Sequence, residues 1–278
     1  MISRKASLGM LLILTAIVVV ICFILPRIPQ PQSYHQFADN RNFLGIPNFG
    51  NVLSNLPFAV VGIWGLVFLL KSRSYQNAGR FLDGRERWPY LSVFTGLLLT
   101  TFASSYYHMA PGNTRLVWDR LPMTITFMSM VSAVIAERFN VRLGIWLLPL
   151  LLLVGPMSVL QWHWSETRGA GDLRFYAALQ AYSALVILLA LLFPRRYTRT
   201  ADFGLVIAFY ALAKVLELFD QPIFGVLHFV SGHTLKHLAA AAAGYCILRM
   251  LQMREPVTAI PSISRPGWEA VASKWGSS

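Results

Sequence analysis

The chain contains eight apolar runs, each about as long as a helix that crosses a lipid bilayer. Such a helix needs about 20 apolar residues. Only 13% of the 278 residues are charged, against roughly 25% in a soluble domain. The sequence therefore predicts an all-α fold, a polytopic transmembrane helical bundle, and excludes the soluble enzyme classes. The runs lie at about 7–26, 52–70, 90–109, 117–136, 143–161, 173–194, 203–219 and 226–251.

The basic residues lie mainly in short segments between these runs, and the net charge is +12. Lys and Arg in short loops mark the cytoplasmic side of a membrane protein. When the runs alternate through a bilayer, most of the 24 Lys and Arg fall on the side of the N-terminus. We therefore expect both termini in the cytoplasm and the lipid bilayer as partner. Basic patches interleaved with aromatic residues do not occur in the sequence, so nucleic acid is not an expected partner.

Three histidines are the strongest candidates for chemistry, because an imidazole in hydrocarbon is costly unless it has a partner. His233 and His237 are four residues apart in S-G-H-T-L-K-H, a spacing that places both on one face of a helix. Ser231 is a predicted N-cap for that helix. His108 ends the third run at the same, outer level. Three histidines with an open fourth position are typical of a catalytic zinc site.

Two further residues lie at the same predicted depth. Ser104 precedes His108 by four residues, and Asp119 begins the fourth run after a short loop. A carboxylate beside an activated water can act as general base and then as general acid. A hydroxyl can donate a hydrogen bond to the developing oxyanion. Taken singly, each has an ordinary structural explanation, but together with the histidines they predict a hydrolytic site.

Other ionisable residues within the runs allow different interpretations. Lys214 and Glu217 are three residues apart and can pair on a helix, and for them, Asp220 and Arg120 we favour structural pairing within the bundle. One alternative function is a receptor-like protein that keeps zinc for structure. Another is a proton or ion transporter that uses these charged residues and the histidines as a relay.

At these positions the sequence resembles the alkaline ceramidase family. The family belongs to a wider superfamily of seven-helix membrane hydrolases that includes the progestin and adiponectin receptors. The resemblance implies that His108, His233 and His237 bind one zinc ion, that Asp119 transfers protons and that Ser104 is the oxyanion donor. It also implies hydrolysis of the amide bond in a ceramide-like membrane lipid. The motifs are S-N-L-P-F (54–58), S-x-x-x-H (104–108), D-R-L-P-M (119–123) and H-x-x-x-H (233–237).

The resemblance also divides the chain. Residues 1–30 form an N-terminal membrane anchor helix, residues 31–252 a seven-helix ceramidase-like catalytic core, and residues 253–278 a cytoplasmic tail. The short loops and the plain anchor favour a bacterial inner membrane. Family members have an acidic calcium site before the first core helix, but here that stretch has one acid, Asp39, next to Arg41. Calcium prefers several hard carboxylates, so we do not expect a calcium site.

Overall fold

The computed structural model describes residues 4–71 and 79–257, and these residues form helices joined by short connections, without a β-strand. Each of the eight predicted runs overlaps one long helix, which confirms the all-α prediction. In chain order the helices are α1 (Arg4–Ile24), α2 (Phe49–Leu53), α3 (Leu56–Lys71), α4 (Arg87–Met109), α5 (Asn113–Arg138), α6 (Val141–Thr167), α7 (Arg174–Leu191), α8 (Ala201–Leu218), α9 (Asp220–Leu227) and α10 (Gly232–Met253).

Four helical segments of the described residues are long and apolar enough to cross a membrane. They are Lys5–Ile24, Phe49–Lys71, Val141–Thr167 and Arg174–Leu191. The other long helices are more polar, and α8, for example, has Asp202, Lys214 and Glu217 among its 18 residues. The chain thus has the character of a membrane protein, while the number of eight spans stays a prediction.

Six helices form a ring in which each contacts the next: α3, α4, α5, α7, α8 and α10, which closes on α3. The buried apolar side chains of these helices form the main core of the molecule. Helix α6 lies outside the ring against α5, and α1 lies outside it against α7. The predicted anchor helix α1 contacts α7 through the Thr15 and Tyr182 hydroxyls, 2.9 Å apart, and through the rings of Phe23 and Phe175.

The last predicted run, 226–251, is not one helix. Helix α9 ends at Leu227, and the next residue, His228, has a left-handed φ of 59°. The chain is extended at Ser231 before α10 begins. The Ser231 side chain accepts a hydrogen bond from the Thr234 backbone N–H, 3.1 Å away, and thus caps α10 as predicted. The hydropathy pattern of the sequence does not indicate this break, because the residues on both sides of it are apolar.

A buried ion pair closes the end of the bundle that is opposite the histidines. Arg254 and Glu137 form a salt bridge with side-chain exposures of 1% and 3%, and the Tyr90 hydroxyl donates to Glu137 at 2.7 Å. The predicted tail begins at residue 253, but Met253 belongs to α10, and residues 254–257 are part of the packed fold through backbone hydrogen bonds to the segment 196–198. Residues 258–278 of that tail lie outside the described residues.

Candidate metal centre

Three histidine side chains from two helices meet in the interior. The ring centroids of His108 and His233 are 4.8 Å apart, and each of these rings lies 5.0 Å from the ring of His237. The Nε2 atoms of His108 and His233 are 3.4 Å apart. All three residues are buried: His108 is 1% exposed, His233 4% and His237 6%. The predicted convergence of these three residues is confirmed, although His108 lies 125 residues before His233 in sequence.

The cluster is chemically suited to a metal ion. One candidate ligand atom from each histidine lies within 4.8 Å of the others, and in the part of the chain that the structure describes no acid or cysteine joins the group. The Nε2 atoms of His108 and His233 are 3.4 Å apart, about the separation of two imidazole nitrogens that bind one zinc ion at about 2.1 Å each. Imidazole nitrogens suit zinc, copper, iron and nickel. The cluster can therefore hold a transition metal.

Ser54 orients the third imidazole. Its Oγ donates to the Asn51 carbonyl oxygen at 3.0 Å and lies 2.8 Å from Nδ1 of His237. Because the hydroxyl proton is used on Asn51, Oγ accepts the proton of Nδ1–H. This tautomer leaves Nε2 of His237 with a free lone pair, the usual arrangement of a metal-binding histidine and its hydrogen-bonding partner.

Backbone contacts fix the other two histidines. Asn48 donates from Nδ2 to the His108 carbonyl oxygen at 2.8 Å, and the His233 backbone N–H donates to Asp220 Oδ1 at 2.7 Å. The other Asp220 oxygen accepts from the Ala38 backbone N–H at 2.9 Å. Asp220, predicted as a member of a charged pair, thus ties the loop before α2 to the start of α10.

An aromatic ring from that loop covers the histidines. The Phe37 ring lies 4.7 Å from the His108 ring and 4.5 Å from the His233 ring, and the residue is 8% exposed. The sequence analysis did not identify Phe37, because a single Phe in a loop gives no periodic signal. The Phe37 ring excludes bulk water from one side of the histidine cluster, and this exclusion strengthens electrostatic interactions there.

The same loop contains the single acid of the stretch compared with a calcium site. Both carboxylate oxygens of Asp39 accept hydrogen bonds from the Arg41 guanidinium, at 2.7 and 2.8 Å. These bonds hold the pKa of Asp39 below its usual value. Arg41 also donates to the Phe229 carbonyl oxygen at 2.8 Å. The Asp39 carboxylate therefore serves to hold the loop against the α9–α10 connection.

Ser104, Asp119 and His237 line one cavity of about 600 Å³. The Ser104 hydroxyl interacts with the Asp119 carboxylate. The structure therefore brings the two predicted catalytic residues together in the wall of a cavity that His237 of the histidine cluster also lines. Asp119 and Ser104 are 8% and 2% exposed.

The cavity is polar at one end and mainly apolar over the rest of its length. Between Asp119 and Met130 it follows α5 for roughly 16 Å, at about 1.5 Å per residue. The apolar part is lined by residues such as Leu97, Met123, Phe127, Ile187 and Ile247. The residues of the polar end are Tyr34, Ser104, Asp119, Arg120, Lys214, Glu217, Lys236 and His237.

Two lysines of the polar end share one carboxylate. Lys214 Nζ lies 3.0 Å from Glu217 Oε2, which confirms the predicted pair, and Lys236 Nζ lies 2.5 Å from Glu217 Oε1. The Tyr34 hydroxyl also donates to Glu217 at 3.1 Å. The second lysine was not predicted, because 19 residues separate Lys236 from Glu217 and a turn lies between them.

Comparison with protein-family models and with curated proteins finds no match to this chain.

Proposed function

We propose that the protein is a zinc-dependent integral membrane hydrolase that cleaves ceramide-type N-acyl bonds to a fatty acid and a long-chain base. One observation carries the proposal: three buried histidines converge, and one of them, His237, lines the same cavity as Asp119 and Ser104. A structural zinc is usually closed by a fourth protein ligand. The cluster has three ligands among the described residues, which favours an open, catalytic position.

We propose, on the same residues, that the chain is a member of the alkaline ceramidase family. Its four motifs are far apart in sequence, and members of each meet around the cluster: Ser54 contacts His237, while Ser104 contacts Asp119. A chance match of short motifs would not be expected to bring these side chains to one site.

We also propose eight spans, a seven-helix core preceded by one N-terminal span, with both termini in the cytoplasm of a bacterial inner membrane. The helical structure of all eight apolar runs supports the count, and the distribution of Lys and Arg supports the orientation. In this arrangement the histidines lie near the outer face, so that a lipid amide from the outer leaflet reaches them laterally.

The roles of the residues follow from their positions. His108, His233 and His237 would hold the zinc, which supplies Lewis acidity for a water molecule and for the amide carbonyl. Asp119 takes a proton as the water oxygen bonds to the carbonyl carbon. Once Asp119 is protonated, the Ser104 hydroxyl is released from the carboxylate and donates its hydrogen bond to the carbonyl oxygen as that oxygen becomes negative. Asp119 then protonates the amine nitrogen as the C–N bond breaks.

The shape of the cavity supports a lipid substrate. Its polar end contains the proposed catalytic groups, and its apolar part extends from there along α5 and α10. Binding sites for small molecules are mostly apolar with a few polar groups that fix orientation. An acyl chain in the apolar part would present its amide to Asp119 and Ser104.

The test is release of fatty acid from a membrane lipid extract by the purified full-length protein. We expect about one zinc per chain, and we expect Asp119→Ala to lower the rate about 10²- to 10⁴-fold. Asp83→Ala is a matched control, because that residue pairs with Arg85 in a connection remote from the histidines. A chelator should abolish release, and added zinc should restore it.

Other results would exclude the proposal. Metal-free protein that still cleaves ceramide would refute the mechanism. Bound zinc without fatty acid release from any lipid amide would favour the receptor-like alternative. Proton-driven flux in proteoliposomes that is insensitive to chelators would favour a transporter.

A further inference from the structure

A buried arginine lies at the polar end of the cavity without an anionic partner. Arg120 follows Asp119 on α5, lines the cavity and is only 5% exposed. None of the ion pairs among residues 4–71 and 79–257 includes it. A buried cation in a membrane protein normally pairs with an anion or with backbone carbonyls. Arg120 is therefore incomplete as a purely structural residue.

The contacts of Arg120 hold its guanidinium without neutralising it. Nη2 donates to Gln30 Oε1 at 2.6 Å, and the group lies 4.2 Å from the Trp162 ring centroid and 4.7 Å from that of Tyr176. Aromatic rings attract a cation but add no negative charge. Nη1 is buried and has no hydrogen-bond partner in the described part of the chain. The guanidinium is thus fixed in place with a donor unused.

The two lysines at this end are already paired, whereas Asp119 forms no ion pair with Arg120 among the described residues. Glu217 accepts from both Lys214 and Lys236, while Asp119 interacts with the Ser104 hydroxyl. Among the described residues, Arg120 is therefore the cation of this cavity that lacks a carboxylate.

We propose that Arg120 selects lipid amides whose amine-side head group carries an anion, such as the carboxylate of an N-acyl amino acid. The apolar part of the cavity extends away from Arg120 and takes the acyl chain, so that the head group lies at the end where Arg120 is. Arginine binds carboxylates through strong, charge-assisted hydrogen bonds. This inference rests on the amide hydrolysis of the proposed function and changes its substrate class from a neutral ceramide to a lipid amide with an anionic head group.

The test compares two ligands with the same acyl chain and amide, N-palmitoylglycine and uncharged N-palmitoylethanolamine. Binding is measured to full-length Asp119→Asn protein in phosphatidylcholine nanodiscs, because this variant keeps the shape of the side chain and prevents turnover. We expect the glycine conjugate to bind about 10- to 100-fold more tightly, as for a hydrogen bond to a charged group. The double variant Asp119→Asn/Arg120→Gln should lose this preference. Its affinity for the neutral ligand should stay within about twofold of that of the Asp119→Asn protein.

Palmitate, a product-like carboxylate, is the third ligand. We expect Arg120→Gln to weaken palmitate binding much less than binding of the glycine conjugate. Equal loss for both ligands would place the fatty acid carboxylate at Arg120 and overturn the assignment to the head group. Equal affinity of the charged and neutral amides for the Asp119→Asn protein would also overturn it, and this comparison does not depend on whether the Arg120 variant folds.

Hydrolysis by the wild-type protein separates this inference from the proposed function. If neither amide is cleaved but the Arg120-dependent preference holds, the proposed activity is wrong and the anion site stands. If both amides are cleaved at equal efficiency and bind equally, the activity stands and the anion site is wrong.

Discussion

Removal of the Ser54 hydroxyl tests the metal centre without removing a proposed ligand. In Ser54→Ala, Nδ1 of His237 loses the oxygen that lies 2.8 Å away. The residue is 6% exposed, so a replacement water has little access. We expect the variant to fold and to retain all three histidines, but to hold zinc more weakly.

The expected size of the effect follows from the role of the hydrogen bond. Ser54 selects the His237 tautomer that frees Nε2 and fixes the orientation of the ring. Loss of such an outer partner typically weakens metal binding about 10- to 100-fold, which corresponds to about 1.4–2.8 kcal/mol. Loss of a ligand in His237→Ala should be more severe, with less than one zinc retained after dialysis.

The assay is a competition between the detergent-solubilised protein and a zinc-binding dye of known affinity. Ser158→Ala is the matched control, because Ser158 is also buried and its hydroxyl also donates to the carbonyl three residues earlier, at 2.7 Å. It lies on α6 and has no histidine partner among its hydrogen bonds in the described chain. Its zinc affinity should equal that of the wild type.

Two results would contradict this account. If Ser54→Ala binds zinc as tightly as the wild type, the hydrogen bond does not orient a ligand. If Ser158→Ala loses as much affinity as Ser54→Ala, the loss comes from general destabilisation of the bundle and not from His237.

Three further predictions concern the fold and the cavity. Glu137→Ala leaves the Arg254 charge buried and unpaired, so the free energy of unfolding should fall by about 3–5 kcal/mol, measured by denaturant titration in detergent. Ala243 lines the apolar part of the cavity, and Ala243→Phe should fill that part. We expect kcat/KM for long-chain amides to fall about tenfold or more relative to short-chain amides. An equal loss for all chain lengths would contradict this prediction. Gly232→Ala would place Cβ 2.3 Å from the Leu216 carbonyl oxygen, so the thermal midpoint and the zinc content should decrease together.

The histidine cluster could be predicted because most of its geometry is local. The spacing of His233 and His237 fixes their common face once the segment is helical, and the Ser231 cap fixes where that helix begins. His108 required one further assumption, that alternating spans bring the end of the third run to the level of the start of the last. The convergence of the three rings agrees with that assumption.

The surroundings of the cluster could not be predicted, since they depend on a loop without periodicity. Phe37 reaches the histidines because Asp220 accepts from the Ala38 N–H and because Arg41 donates to the Phe229 carbonyl oxygen. These are contacts between residues more than 180 positions apart. Asn48 adds a left-handed φ of 48°, which Asn tolerates better than most residues. No pattern in the sequence specifies such a loop.

The polar residues that line the cavity explain why only some of the long helices of the described chain have the composition of a membrane span. Helices α1 and α6 lie outside the ring, so nearly every face of them can be apolar. Helices α4, α5, α8 and α10 line the cavity and must place hydroxyls, carboxylates, amines and imidazoles on their inner faces. Polar groups turned toward the cavity lower the mean hydropathy of a helix or add charged residues to it even where its outer face is apolar. Helix α8 exposes Leu205, Leu212 and Val215 but also contains three charged residues. A helix that lines a site inside a membrane can therefore contain more polar or charged residues than one that only faces lipid, which is why we retain eight spans in the proposal.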